Sequence, residues 1–410
     1  MVRAVQSAAS NRRKYKVKAR AREITLHAAI LACVLWAAVG ADVLSPGPLG
    51  RYSGFQKGND FVQFYVAGSL ARDGDFAALS DETRFRQAQL PYFRSGDRFA
   101  FPPVYGPQVA LFFSLFARLP YLAAYAAWSA LTLVVTFWSV SVCRRRVPAV
   151  AGWAWPTAVA AAAYPPLAYV VLDGQLSALG LGAVTLAVVA LGTSGRVSRI
   201  AAGAAVGALG YKISLFAPAL AVCVVAGEWT MAAAALVTAA LQVAITLPIV
   251  GFDVVVGFLH NMYSFARSPD LLTRNSYLMA SLRTFWSALL LEPWATAAYV
   301  VTGGASVCVA AWGWRRTAFP VARIGLLALA VTLASPHLFL YDLLILAPAF
   351  VVSAGILIAR RATTLRWCTW LAFFAPIAAP LAFFTRVQPV TLVLAAWLVS
   401  LAVAVREEAA

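Results

Sequence analysis

Three almost unbroken apolar stretches, Leu26–Ala41, Ala149–Leu172 and Val390–Val405, constrain this chain more than any other feature. They lie near or above the roughly 18 residues that a membrane span requires. In water such segments would need a polar shell. With 410 residues, 62% of them hydrophobic and only 12% charged, the chain has too little polar surface to make one. Ordinary soluble domains are about 45–50% apolar and about 25% charged. A soluble globular enzyme and a disordered chain are both excluded. The sequence specifies an all-α polytopic membrane protein.

The net charge of +17 would point to nucleic acid in a soluble chain. In a membrane chain it is first a signal of orientation, because cytoplasmic loops are enriched in Lys and Arg. Eight basic residues precede the first apolar run: Arg3, Arg12, Arg13, Lys14, Lys16, Lys18, Arg20 and Arg22. Others follow later runs, at Arg144–Arg146, Arg196, Arg199, Arg315, Arg316, Arg323, Arg360, Arg361, Arg366 and Arg406. Placing all of these inside puts 20 of the 33 basic residues there against four acids, Glu23, Glu228, Glu407 and Glu408. The outer loops then balance, and Lys212 is left over. The excess therefore reads as topology, with cytoplasmic termini in a cell membrane and the basic N-terminus resting on anionic lipid. No nucleic-acid partner is expected. The five cysteines sit in or beside apolar runs and read as small buried side chains. Residues 1–41 resemble a signal peptide, but the long apolar run and the many that follow favour an uncleaved first span.

The chain divides into a basic N-terminal segment, 1–24, a transmembrane domain, 25–405, and a tail, 406–410. A first outer segment, 47–118, carries two short amphipathic helices, 59–72 and 81–90, expected along the membrane surface, and a short apolar piece, 103–118. That piece is read as juxtamembrane or re-entrant, because a crossing there would put Arg144–Arg146 outside. Spans are expected near 25–46, 120–143, 148–170, 174–192, 229–250, 294–314, 319–336, 339–359, 367–385 and 388–405. Residues 199–227 break at Leu209-Gly210-Tyr211-Lys212 into pieces of about 18–22 Å, too short to cross squarely. They read as a hairpin dipping from the inside with Lys212 near its tip, or as two short crossings. A second outer segment spans 251–292. In all, about 10–12 transmembrane helices are expected.

On this topology Asp60, Asp173, Gln175, His337 and Asp342 fall near the outer ends of spans or in the first outer segment, and Arg274 and Asn275 in the second. Lys212 is the one basic residue at membrane depth, where ionisable groups are costly and tend to mark function. This convergence predicts one site at the outer interface.

The motifs resemble those of the GT-C membrane glycosyltransferases, and within them glycosyltransferase family 87. The matching strings are Asn59-Asp60-Phe61 with Phe64-Tyr65 and Ala67, Phe101-Pro102-Pro103, Leu119-Pro120-Tyr121 and Trp128. They continue through Tyr164-Pro165-Pro166 with Gly174-Gln175, Gly210-Tyr211-Lys212, and Ser335-Pro336-His337 with Tyr341-Asp342. They run in the family's order over about residues 55–350. Two positions depart from its pattern: Ile213 stands where Pro often follows the lysine, and Asn275-Ser276-Tyr277 where the family has Asn-Gln-Ser. The resemblance implies transfer of a sugar, mannose first among the candidates, from a polyprenyl-phosphate donor to a lipid or glycan acceptor outside the membrane. It implies inversion at the sugar, with Asp60 as general base and no metal.

Such a transfer needs a base for the acceptor hydroxyl and stabilisation of the departing phosphate. Asp60 opens the first outer helix and is either that base or a helix cap. Lys212 either offsets phosphate charge or forms a structural ion pair. His337 bonds phosphate, orients a hydroxyl or is structural. Tyr65 and Gln175 bond sugar hydroxyls or local backbone. Arg274, Asn275 and Tyr341 complete the expected substrate contacts, and Arg274 is equally a solvated loop charge. Asp342 either holds the His337 imidazole or is a helix-end charge. Asp73-Gly74-Asp75 is the one acid pair in the outer segment that suggests a cation, and it reads better as a turn. Two rival functions remain: a lipid or small-molecule transporter, with an intramembrane polar path, and a non-catalytic envelope scaffold, in which Asp60 is dispensable.

Overall fold

The computed structural model describes residues 2–93, 100–266 and 276–409. Within them the secondary structure is helical, with isolated bridges Leu49–Gln56 and Met279–Phe339 in place of strands. The first thirteen helices are α1 (Val2–Val43), α2 (Phe61–Arg72), α3 (Glu82–Gln89), α4 (Pro107–Phe113), α5 (Tyr121–Arg146), α6 (Ala154–Ala162), α7 (Pro165–Asp173), α8 (Ser177–Ala190), α9 (Arg196–Gly207), α10 (Ile213–Val225), α11 (Trp229–Ala244), α12 (Leu247–Val250) and α13 (Phe252–Ala266). Later come Leu282–Leu289, Trp294–Arg316, Pro320–Ala334, Ala347–Ala359, Thr363–Ala378 and a last helix, Pro389–Ala409.

Among the described residues seven helices are long and apolar enough to cross a membrane, or eight if α6 and α7 count as one span. With three shorter apolar helices among the described residues, this agrees with the all-α polytopic architecture expected. The α6–α7 pair bends by 55°, because Pro165-Pro166 at the start of α7 removes backbone donors and pushes Tyr164 out of helical geometry. Three further apolar helices, α8, α10 and Pro320–Ala334, run only 14, 13 and 15 residues. The last is walled in by protein, with every residue from Val321 to Leu333 buried except Arg323. It is apolar all round because it is core.

The basic loops gather at one end. Glu228 accepts from Trp314 Nε1 at 3.1 Å and lies 3.5 Å from Arg199 and 3.9 Å from Arg323. Arg315 donates to the carbonyls of Val225 and Ala226, and Arg360 to that of Ala404. The Arg199–Glu228 contact joins the start of α9 to the residue before α11, so α9 and α10 form a hairpin whose base is closed there and whose far end carries Lys212. Helix α9 also packs in parallel on α11 through Gly203 and Gly207, where an added Cβ would overlap the carbonyl oxygens of Met231 and Ala235. This Gly-x-x-x-Gly spacing lets two backbones approach closely.

Length then sets depth. Helix α5, at 26 residues, rises about 39 Å, whereas α8, α9 and α10, with 14, 12 and 13, rise about 18–21 Å. All start or finish at the basic end, so the opposite ends of the short helices lie recessed between the long ones.

Within residues 47–118 the second helix departs from expectation. Helix α2 does not lie on a surface: Phe61 through Val66 are all buried, and Gly68 presses on the Phe113 backbone of α4. Helix α3 keeps an exposed face, with Phe85 and Gln89 turned inward. Residues 103–118 do not cross; they form the seven-residue α4 and a 3-10 turn, Phe116–Arg118. Cys143, Cys223 and Cys368 are buried as expected, but Cys33 and Cys308 lie exposed on membrane-spanning helices.

Candidate active site

The recessed end of the bundle brings together Asp60, Gln175, Lys212, Tyr341, Asp342 and His337. Asp60 occupies the N-cap position of α2, but its side chain makes no capping hydrogen bond. Instead one carboxylate oxygen accepts from Gln175 Nε2 at 2.5 Å, and the other has Asn59 Nδ2 at 3.5 Å. Burial pushes the carboxyl up to about 6 from the ordinary 3.8; the Gln175 hydrogen bond and the Lys212 charge oppose that rise.

Gln175 is carried by the turn between α7 and α8. Gly174 ends α7 with φ 70°, and a Cβ there would fall 2.5 Å from Phe61 Cβ. The turn is thus pressed against the first residue of α2. Trp128 Nε1 donates to the Gly174 carbonyl at 3.1 Å, Tyr125 to that of Val171 at 2.6 Å, and Tyr211 to that of Leu176 at 3.3 Å.

Lys212 sits at the break between α9 and α10 with its side chain only 11% exposed. Its ammonium lies 2.6 Å from an Asp342 carboxylate oxygen and 5.4 Å from the Tyr341 ring centre. Ser177 Oγ donates to the other Asp342 oxygen at 3.0 Å. Asp342 therefore does not hold the His337 imidazole. The segment Leu340–Leu346 is a 3-10 helix, which turns Asp342 back toward the Phe339 amide, 3.4 Å away, and toward Lys212. His337 precedes it, edge-on to Phe339 at 4.9 Å, with a buried Nδ1 that has no protein partner. Burial, then the Lys212 charge, lowers His337 to about 4, so the ring is neutral near pH 7 and offers hydrogen bonds rather than charge.

Not every expected residue joins this cluster. Tyr65 spends its hydroxyl on the Leu119 carbonyl at 2.8 Å and packs against Tyr92 and Tyr121. Arg274 and Asn275 lie outside the described residues. Asp73 is paired with Arg72 and Asp75 with Arg84, so that turn is closed by its own ion pairs. Among the described residues no group of three His, Cys, Asp or Glu side chains could hold a metal ion.

Sequence reasoning missed three contributors. Ser177 holds Asp342, Tyr211 pins the α7–α8 turn, and Tyr105 lies within electrostatic reach of Asp342, Tyr211 and Asp60. Burial first, then the Asp342 charge, keeps the Tyr105 hydroxyl well above its ordinary range, so it remains a donor. Tyr211 stood in a quoted motif beside Lys212. Ser177 and Tyr105 had no local signal.

Residues 104–336 match the family model of glycosyltransferase family 87. The chain belongs to glycosyltransferase family 87. No curated protein and no solved structure matches it. The match spans Gln175, Ser177 and Lys212; Asp60 precedes it, and His337 and Asp342 follow its end. In this family 87 membrane glycosyltransferase the recess brings the Lys212 ammonium together with the carboxyl groups of Asp60 and Asp342, with Asp173 in electrostatic reach of Asp60.

Proposed function

We propose that the enzyme moves a sugar, mannose in our reading, from a polyprenyl-phosphate donor to a lipid or glycan acceptor at the outer face of the cell membrane, with both termini cytoplasmic. One observation carries this reading: the Asp60 carboxylate is released from helix capping and lies in the same recess as the Lys212 ammonium.

The chemistry follows from that pairing. The acceptor hydroxyl oxygen forms a bond to the anomeric carbon while the bond from that carbon to the phosphate oxygen breaks, and its electron pair leaves with the phosphate. The hydroxyl proton passes to Asp60. With a carboxyl pushed up to about 6, Asp60 is ionised near pH 7 yet more basic than an exposed aspartate. Lys212 opposes the charge that grows on the leaving phosphate, and neutral His337 offers a hydrogen bond. Attack from the Asp60 side with departure toward Lys212 inverts the anomeric centre. A recess bounded by longer helices suits a substrate whose lipid tail stays in the bilayer while its headgroup reaches the site.

The test is transfer of radiolabelled sugar from defined polyprenyl-phosphate donors by purified, reconstituted protein, comparing wild type with Asp60→Asn. The variant should fold, bind donor and lose about 10²–10⁴-fold in rate. Transfer within about threefold of wild type, with chemistry limiting, removes Asp60 from the base role.

A further inference from the structure

We infer that Gln175 is a positioning residue for Asp60, and that the α7–α8 turn exists to hold it there. This rests on the proposed role of Asp60 as base and extends it to the group that aims the base.

Several independent contacts fix the Gln175 side chain. The residue is 2% exposed, so its amide cannot exchange freely with water. Its Nε2 donates to Asp60 at 2.5 Å, and its Oε1 accepts from the Leu176 amide at 3.3 Å. Both ends of the amide are thus occupied, which fixes its flip state and leaves Nε2 aimed at the carboxylate.

The backbone beneath is held just as firmly. Three side chains from other elements, Tyr125, Trp128 and Tyr211, each donate to a carbonyl between Val171 and Leu176. None of these carbonyls needs a side-chain donor for the chain to turn, because the left-handed Gly174 already makes the turn. The extra bonds restrict where Gln175 can be. The next residue but one, Ser177, reaches Asp342, which in turn holds Lys212. One short turn therefore sets both the base and the cation of the recess.

Asp60 is also faced by Lys212 and Asp342, by Asp173 at the end of α7, and by the Tyr105 and Tyr341 hydroxyls, all of which the Gln175 variants leave in place. A donor aimed at a carboxylate favours its ionised form and fixes which oxygen remains for the acceptor proton. Gln175→Met keeps the length and removes the donor. It should move the acid limb of the pH–rate profile upward by about one unit and so lower the rate at pH 6 about fivefold, with the donor KM within about threefold. Gln175→Glu covers the case in which the methionine variant fails to fold. It sets a second carboxylate against Asp60 and must move the limb upward further still. An unmoved limb in the folded variant, or a raised donor KM with the limb in place, overturns the inference. The latter would make Gln175 a substrate ligand. Asp60→Asn run beside them separates the two levels: if it abolishes transfer while the Gln175 variants leave the limb alone, only the positioning role falls. If Asp60→Asn transfers normally, the base assignment falls and takes this inference with it.

Discussion

Lys212 and Asp342, 130 residues apart in the chain, meet at 2.6 Å in the recess, and the carboxylate side is 1% exposed. Burying two charges together is tolerable; burying one alone is not. Lys212→Met leaves Asp342 without its counter-charge and should cost about 3–5 kcal/mol of stability. Lys212→Met combined with Asp342→Asn removes both charges and should recover most of that loss; under the proposed function it should remain inactive, because a phosphate leaving group would still lack its cation. Thermal unfolding of the two purified variants checks this. A double variant no more stable than the single one would show that the unpaired Asp342 charge is not what destabilises Lys212→Met.

The pH dependence of transfer follows from Asp60. Its carboxyl is pushed up to about 6, mainly by burial, from the ordinary 3.8. Only the ionised form accepts a proton, so transfer should climb as pH rises through about 6 and then level off. Stability runs the other way. The folded protein holds this proton more tightly than the unfolded chain, so the group's stabilising contribution is complete below 3.8 and is lost as pH rises toward 6. Rate and unfolding measured on one preparation between pH 4 and 8 should show opposite trends from this group, and the stability trend should vanish in Asp60→Asn. A flat rate across pH 6 would contradict the assignment.

Helix α9 leads up to Lys212 and depends on its close approach to α11. Gly203→Val puts branched carbons where the Met231 carbonyl oxygen sits, and should part the helices and lower both stability and donor use. Gly304→Ala, on Trp294–Arg316 with open space around it, is the matching control and should be neutral or mildly stabilising. Equal thermal stability of the two variants would show that α9 and α11 need no close packing.

The sequence disclosed what depends on local pattern. Apolar runs marked the class of protein, the break at Gly210-Tyr211-Lys212 marked the hairpin tip, and Asn59-Asp60 marked the start of α2. It did not disclose partners. Asp60 finds Gln175 across 115 residues, and Asp342 chooses Lys212 over nearby His337 because a 3-10 turn, not an α-helix, begins at Leu340. Nothing in Leu340–Leu346 taken alone distinguishes the two. The burial of α2 was hidden for a similar reason: its polar positions suggested a surface helix, but Gly68 admits the α4 backbone, and Gln63 and Tyr65 are covered by neighbours distant in sequence. Hydropathy likewise marked Pro320–Ala334 as apolar without showing that protein, not lipid, surrounds it.

Gly174 carries no functional group, yet any other residue there brings a Cβ to 2.5 Å from Phe61 Cβ and forces an L side chain into a left-handed backbone. Inactivating lesions in this enzyme therefore need not touch a reactive atom. If Asp60 acts as proposed, a saturation screen scored by activity would return position 174 alongside it, and the phenotype would mimic loss of Asp60 while its carboxylate remained in the chain. Part of the catalytic specification is written as empty space, where a screen for reactive side chains finds nothing to name.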